Sequence, residues 1–230
     1  MRFIAAVLCS ICLPVLAAEP LRVAVAANFK PVLQRLSEDF TQRTGIEVRL
    51  SSASSGVLAT QILHGAPYDV FFSADRERPE ALIAGGIAEA AAAFCYASGR
   101  LVLVGGELAD LARADVSVAI ANPATAPYGE AALDVLAREA YLPGAARTLV
   151  RGNNVAQAYQ IWHSGAADLA LIPLALAPAE PVPIPASWHR PLQQFALVLG
   201  EGDSLQRYLK WIRSATVRSQ IIHAGYDPCP

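Results

Sequence analysis

The chain has 230 residues, of which 54% are hydrophobic and 17% charged, and its formal net charge at pH 7 is −2. Abundant Ala with ordinary Leu, Val and Ile describes a globular protein long enough for one large or two small domains, which excludes a disordered chain. No basic run or stripe occurs, so nucleic acid is excluded as a partner.

Residues 1–18 begin with Arg2, continue through the apolar run Phe3–Leu16 and close on Ala17 and Ala18. That order reads as a cleaved secretory signal peptide, and its apolar core is shorter than the roughly 18 residues of a membrane-spanning helix. A soluble, exported protein is expected. Cys9 and Cys12 leave with the leader, and neither follows the small-residue pattern of a lipidation site. Cys95 and Cys229 remain, and the sequence leaves open whether they pair in an oxidising compartment or stay as two thiols.

Leu21–Ala26 predicts a strand, and Phe29, Val32, Leu33, Leu36 and Phe40 then recur at helical spacing up to Gly45, with Asn28 at the N-cap. Ile46–Leu50 predicts a second strand, followed by the serine turn Ser51–Gly56 and a helix over Val57–Leu63. Asp69–Phe72 reads as a third strand, leading through Ser73-Ala74-Asp75 into a helix that ends at Gly85-Gly86. Phe94–Val104 is an extended run broken only by Ser98-Gly99-Arg100, suited to crossing between lobes. Strand and helix then alternate: Val116–Ile120, Glu130–Ala140, Thr148–Val150, Val155–His163 and Asp168–Leu174. The stretch Pro173–Pro185 carries five prolines, which confines it to loop or edge strand. Leu192–Leu199 reads as a second crossing strand, and Ser204–Ala224 as one final amphipathic helix.

In open α/β sheets ligands bind where strands feed into helices. Three polar turns sit at such places: Ala26–Phe29, Ser51–Gly56 and Asn122–Gly129, with Gly152–Val155 as a fourth. Helix starts carry unpaired N–H groups and the positive end of the macrodipole, so turns converging from two lobes form an anion site without Lys or Arg.

Three segments carry a more specific pattern: Ser51–Gly56; Gln61-Ile62 with Gly65–Asp75; and Asn122-Pro123 with Ala126–Gly129. Through them, and over nearly all of the chain beyond residue 18, the sequence resembles the periplasmic molybdate-binding proteins, the solute receptors of ABC importers. The resemblance implies an α/β protein of the bilobed class II periplasmic-binding-protein fold, two α/β lobes joined by two crossing strands. Lobe 1 takes residues 19–97 plus 193–230 and lobe 2 takes residues 98–192. It further implies a monomer, with no cofactor and no protein-coordinated cation, that closes on molybdate or tungstate and delivers it to a membrane permease. Carried over by position, the oxyanion contacts are Asn28, Ser55, Tyr128 and Val155, the last through its backbone N–H. Ala27 and Ser54 are additional positions. Ala27 stands where the branch it most resembles has Thr, and Pro173 where another branch offers a Tyr hydroxyl.

The chemistry of the turns agrees with such a ligand, because molybdate and tungstate are dianions at neutral pH and only accept hydrogen bonds. Monohydrogen phosphate would need a carboxylate to take its proton, and the turns supply none; sulfate needs the same donors, so pocket size decides. A receptor for sulfate or phosphate, or an exported hydrolase using Ser55 or Ser73, is the alternative. Asp75 reads as a helix cap or a brace between lobes. His64, His163, His189 and His223 are scattered, with no metal-binding spacing, nucleophile elbow or nucleotide loop.

Overall fold

The computed structural model describes residues 19–230; the expected leader, with Cys9 and Cys12, lies outside the described residues. The first half alternates as β1 (Leu21–Ala26), α1 (Lys30–Thr44), β2 (Val48–Ala53), α2 (Ser55–Leu63), β3 (Val70–Phe72), α3 (Glu77–Ala84), β4 (Ala93–Ser98) and β5 (Leu101–Val104). It continues as β6 (Ser117–Ala121), α4 (Pro127–Leu136), β7 (Thr148–Gly152), α5 (Val155–His163), β8 (Leu169–Pro173), β9 (Val182–Pro183), β10 (Gln193–Val198), α6 (Asp203–Ile212) and α7 (Ala215–His223). No helix among the described residues is long and apolar enough to cross a membrane.

The strands form two five-stranded sheets of one design, ordered β2-β1-β3-β10-β4 and β7-β6-β8-β5-β9. In each, a parallel trio (β2, β1, β3 or β7, β6, β8) is extended by two antiparallel strands. Helices cover both faces, so the central strands read as nearly unbroken apolar runs. In β1 only Arg22 is exposed. Val32, Leu33, Leu36 and Phe40 of α1 pack on one face of the first sheet together with Leu205, Tyr208, Leu209 and Ile212 of α6. Leu58 and Ile62 of α2 meet Phe71, Leu82 and Leu197 on the other. The second sheet buries Val118, Ile120 and Leu171 against Val135 and Tyr141, and Ala119, Ala170 and Ile172 against Ala158. Each fully buried Leu, Ile or Phe contributes about 1.5–3 kcal/mol.

Several boundaries differ from the sequence expectation. The run Phe94–Val104 is two strands, β4 and β5, in different sheets. The chain passes between lobes at Gly99-Arg100, and Gly99 N–H donates to the Leu192 carbonyl of the other crossing at 2.8 Å. The final helix is two helices, broken at Ser214, whose hydroxyl accepts from Val217 N at 3.4 Å and so caps α7. The serine turn is partly strand, since β2 runs on to Ala53 and α2 starts at Ser55. Helix α4 starts at Pro127, where a missing N–H costs nothing. Of the proline-rich stretch, Pro173 departs from the loop-or-edge expectation by closing the interior strand β8, where its missing N–H falls at the strand's end, and the remainder supplies as strand the two-residue edge β9.

Cys95 and Cys229 form a disulfide that ties the C-terminal tail to β4. Beside it Ser98 and Asp227 exchange backbone hydrogen bonds, and Tyr226 is thereby buried under the first sheet.

Candidate oxyanion site between the lobes

The parallel registers decide where the turns emerge. Strands β1 and β2 finish level at Ala26 and Ala53, and β6 and β7 finish level at Ala121 and Gly152. Each lobe thus presents two strand-to-helix turns side by side, and the two pairs face each other across the cleft. They line a small, tight cavity between the lobes. Asn28, Ser55, Tyr128, Val155, Ala27 and Ser54 all line it. Pro173 does not; it closes β8 opposite Leu101 near the crossing.

In lobe 1 the donors are side-chain hydroxyls beside backbone. Ser55 Oγ accepts from Ala74 N at 2.9 Å, which leaves its own proton to donate. Ser54 is extended (φ −69°, ψ 152°), its hydroxyl caps nothing, and the buried Oγ has no protein partner. A buried hydroxyl left unmatched costs about 1–3 kcal/mol, so a group that accepts from it is stabilised here. Ala27 has no hydroxyl, and its N–H already donates to Ala53 O at 3.0 Å.

Asn28 departs from its expected role. Phe29, not Asn28, holds the cap position of α1, and no side chain caps that helix. The Asn28 side chain turns inward instead, its Nδ2 donating to Gln194 Oε1 at 2.8 Å and to the Tyr226 hydroxyl at 3.2 Å. Both amide protons are thereby engaged, and the donor left to face the cavity is the backbone N–H.

Lobe 2 offers backbone. Tyr128 and Val155 occupy the first turns of α4 and α5, where an N–H has no acceptor within its own helix. Asn154, the N-cap of α5, also lines the cavity, but its Oδ1 is occupied by Gln157 N at 3.1 Å. The Tyr128 ring is buried, and its hydroxyl accepts from Gln194 Nε2 at 3.1 Å instead of reaching the cleft rim. Burial pushes the Tyr128 phenol well above its ordinary range, so it stays neutral. Tyr128 is the only titratable residue among those lining the cavity.

The lobes are in contact. Gly56 N–H donates to Thr125 O of the other lobe at 2.9 Å, and a Cβ at residue 56 would meet Thr125 Cα at 3.0 Å, so any larger residue would press on the facing backbone. Outside the cavity Arg78 pairs with Asp75 in its own lobe and with Glu130 of α4 at 2.8 Å. Arg190 pairs with Glu130 and, at 2.8 Å, with Asp134. Burial disfavours the Arg78 charge, but Asp75 and Glu130 outweigh it and hold its pKa above the usual value. Asp75 does not itself reach the other lobe: it accepts from Arg78 N at 3.3 Å at the start of α3 and from Ser73 Oγ at 2.8 Å, which occupies that serine, and the link to lobe 2 is made by Arg78.

Gln194 was invisible to motif reading. It is fully buried and joins Asn28, Tyr96 and Tyr128. Its one sequence signal is a polar residue at an inward position of a strand that is apolar from Phe195 to Val198. Among the described residues no group of His, Cys, Asp and Glu could hold a metal ion.

The bacterial extracellular solute-binding protein family matches residues 21–227. The chain belongs to that family. It is therefore a solute-binding protein and not an enzyme, which removes the hydrolase alternative. It is 32% identical over 238 residues to the molybdate-binding protein ModA of Rhodobacter capsulatus, covering 96% of this chain and 93% of that protein. ModA of Azotobacter vinelandii is 34% identical over 221 residues, 87% of this chain and 88% of the relative. The solved Azotobacter vinelandii periplasmic molybdate-binding protein superposes with a TM-score of 0.82 at 36% identity, over 91% of this chain and all of that one.

Proposed function

We propose that this protein is an exported, monomeric receptor that captures molybdate, and tungstate, between its lobes and delivers the anion to the membrane permease of an ABC importer. The observation that carries the reading is the convergence of four helix starts on one small cavity, with neutral donors and no Lys or Arg in its lining. A dianion without a proton accepts from every such donor, and the dipoles of α1, α2, α4 and α5 favour its charge. Ser54 and Ser55 supply hydroxyl protons; Asn28, Tyr128 and Val155 supply backbone N–H groups. The names of the relatives at 32–34% identity support molybdate over other oxyanions. A leader over residues 1–18 and a periplasmic site of action are part of the same reading.

Binding draws the lobes together because the donors are divided between them, so the ligand favours the closed form by its differential affinity. The crossings at Gly99-Arg100 and Leu192 are the places where the dihedral change concentrates.

Titration calorimetry of anion-stripped protein with molybdate, tungstate, sulfate and phosphate tests the proposal. Tight binding of molybdate and tungstate with weak or absent binding of the other two is expected. Tight sulfate binding without molybdate binding overturns it.

A further inference from the structure

Between the cavity and the crossings lies a hydrogen-bonded chain that anion binding does not by itself require. Gln194, at the bulge where β10 leaves the second crossing, accepts from Asn28 Nδ2 and the Tyr96 hydroxyl, each at 2.8 Å, and donates to the Tyr128 hydroxyl at 3.1 Å. Asn28 and Tyr128 line the cavity from opposite lobes. The other crossing fits against the same groups: a Cβ on Gly99 would lie 2.0 Å from the Tyr128 hydroxyl and 2.6 Å from Gln194 Nε2. Tyr226 secures the far end, donating to the Asn28 carbonyl at 2.9 Å.

A fully buried primary amide is costly unless its polar atoms are matched, and a Leu would fill the same volume. This amide is matched by groups from both lobes. We infer that Gln194 is a positioning residue for the oxyanion. It fixes the Asn28 turn relative to the start of α4 in the closed protein, so its hydrogen bonds are felt in ligand affinity as well as in stability. The inference rests on the receptor function proposed above.

Two variants test it. Gln194→Leu keeps the bulk and removes all three hydrogen bonds, whereas Tyr128→Phe removes only the link to lobe 2. For each, the Tm of the anion-free protein and the Kd for molybdate are measured, the latter well below Tm where the protein is folded. Gln194→Leu is expected to weaken binding about 10- to 100-fold and Tyr128→Phe about three- to tenfold, on the scale of one to two buried hydrogen bonds. The double variant loses no more than Gln194→Leu alone, because both changes cut the same link.

A residue that only stabilises the fold lowers Tm and leaves the Kd of folded protein within about twofold; that result overturns the inference. If Gln194→Leu does not fold, Tyr128→Phe decides alone, and an unchanged Kd overturns it. Wild-type protein that binds neither molybdate nor tungstate defeats the receptor reading and this inference together. Wild-type binding with unchanged variants defeats only the inference.

Discussion

The two lobes repeat one sheet design but arm it differently. Lobe 1 follows β2 with Ser54 and Ser55, so its second turn meets the cavity with hydroxyls. Lobe 2 places Pro127 and Asn154 ahead of its donors; the proline has no N–H and the Asn side chain caps its own helix, so what remains is backbone. Hydroxyl donors are lost to a single side-chain change, whereas backbone donors survive every substitution except proline. The lesson is that a neutral anion site can be half written in side chains and half in strand registers.

The largest break comes from charge. Ser55→Asp puts a carboxylate where a dianion must sit, and molybdate binding in calorimetry is expected to be lost by about a thousandfold or more, since close like charges in a desolvated site cost several kcal/mol. Retained micromolar affinity would contradict a dianion at this turn.

The contrast between lobes is sharpened by two smaller changes made side by side. Ser55→Ala removes a hydroxyl and Val155→Pro removes an N–H. Each is expected to cost roughly 1.5–3 kcal/mol of binding, the range for a hydrogen bond to a charged group. Proline suits the first position of α5, and Asn154 before it is already extended at φ −153° and ψ 178°. The helix should therefore persist by circular dichroism while affinity falls. Unchanged affinity in Val155→Pro would remove lobe 2's second turn from the site.

Those turns were legible in the sequence because each is a short polar segment between an apolar strand and a helical period, and the structure brings all four to one cavity. The roles inside them were less legible. Asn28 looked like a cap, but its amide is claimed by Gln194 and Tyr226, which lie 166 and 198 positions away along the chain. Local pattern cannot register such partners. Gln194 itself offered no motif, only polarity in the wrong place. The break between α6 and α7 was hidden because Leu209, Ile212, Val217 and Ile221 keep facing one core across it. The pairing of Cys95 with Cys229, open from spacing alone, follows from the tail lying beside β4.

A weaker test addresses how the lobes are held once closed. Arg78 is partly buried and serves a carboxylate in each lobe, Asp75 and Glu130, so opening the cleft strands Glu130 with Arg190 alone. Arg78→Gln is expected to speed molybdate release about tenfold in stopped-flow fluorescence while changing the association rate little, because the ion pair forms after capture. Equal slowing of association would place Arg78 in the encounter instead.

The smallest expected effect is that of pH, and it separates the neutral site from any site built on a titrating cation. Burial raises the phenols of Tyr96, Tyr128, Tyr208 and Tyr226 above the ordinary value of 10.0. A folded-state pKa above the unfolded one contributes stability that is complete below the unfolded value and is lost as pH rises through the folded one. Tm should therefore hold steady at neutral pH and fall above about pH 10. At the acid end, the Arg190 hydrogen bonds hold Asp134 below its usual value, a contribution present above about pH 4 and lost as the carboxylate protonates. Between these limits no group lining the cavity changes charge, and the ligand remains a dianion. Kd for molybdate should thus vary by less than about twofold from pH 6 to 9. A tenfold weakening across that window would mean that a titrating cation, absent from the cavity lining, supplies the attraction assigned here to hydroxyls, backbone N–H groups and helix dipoles.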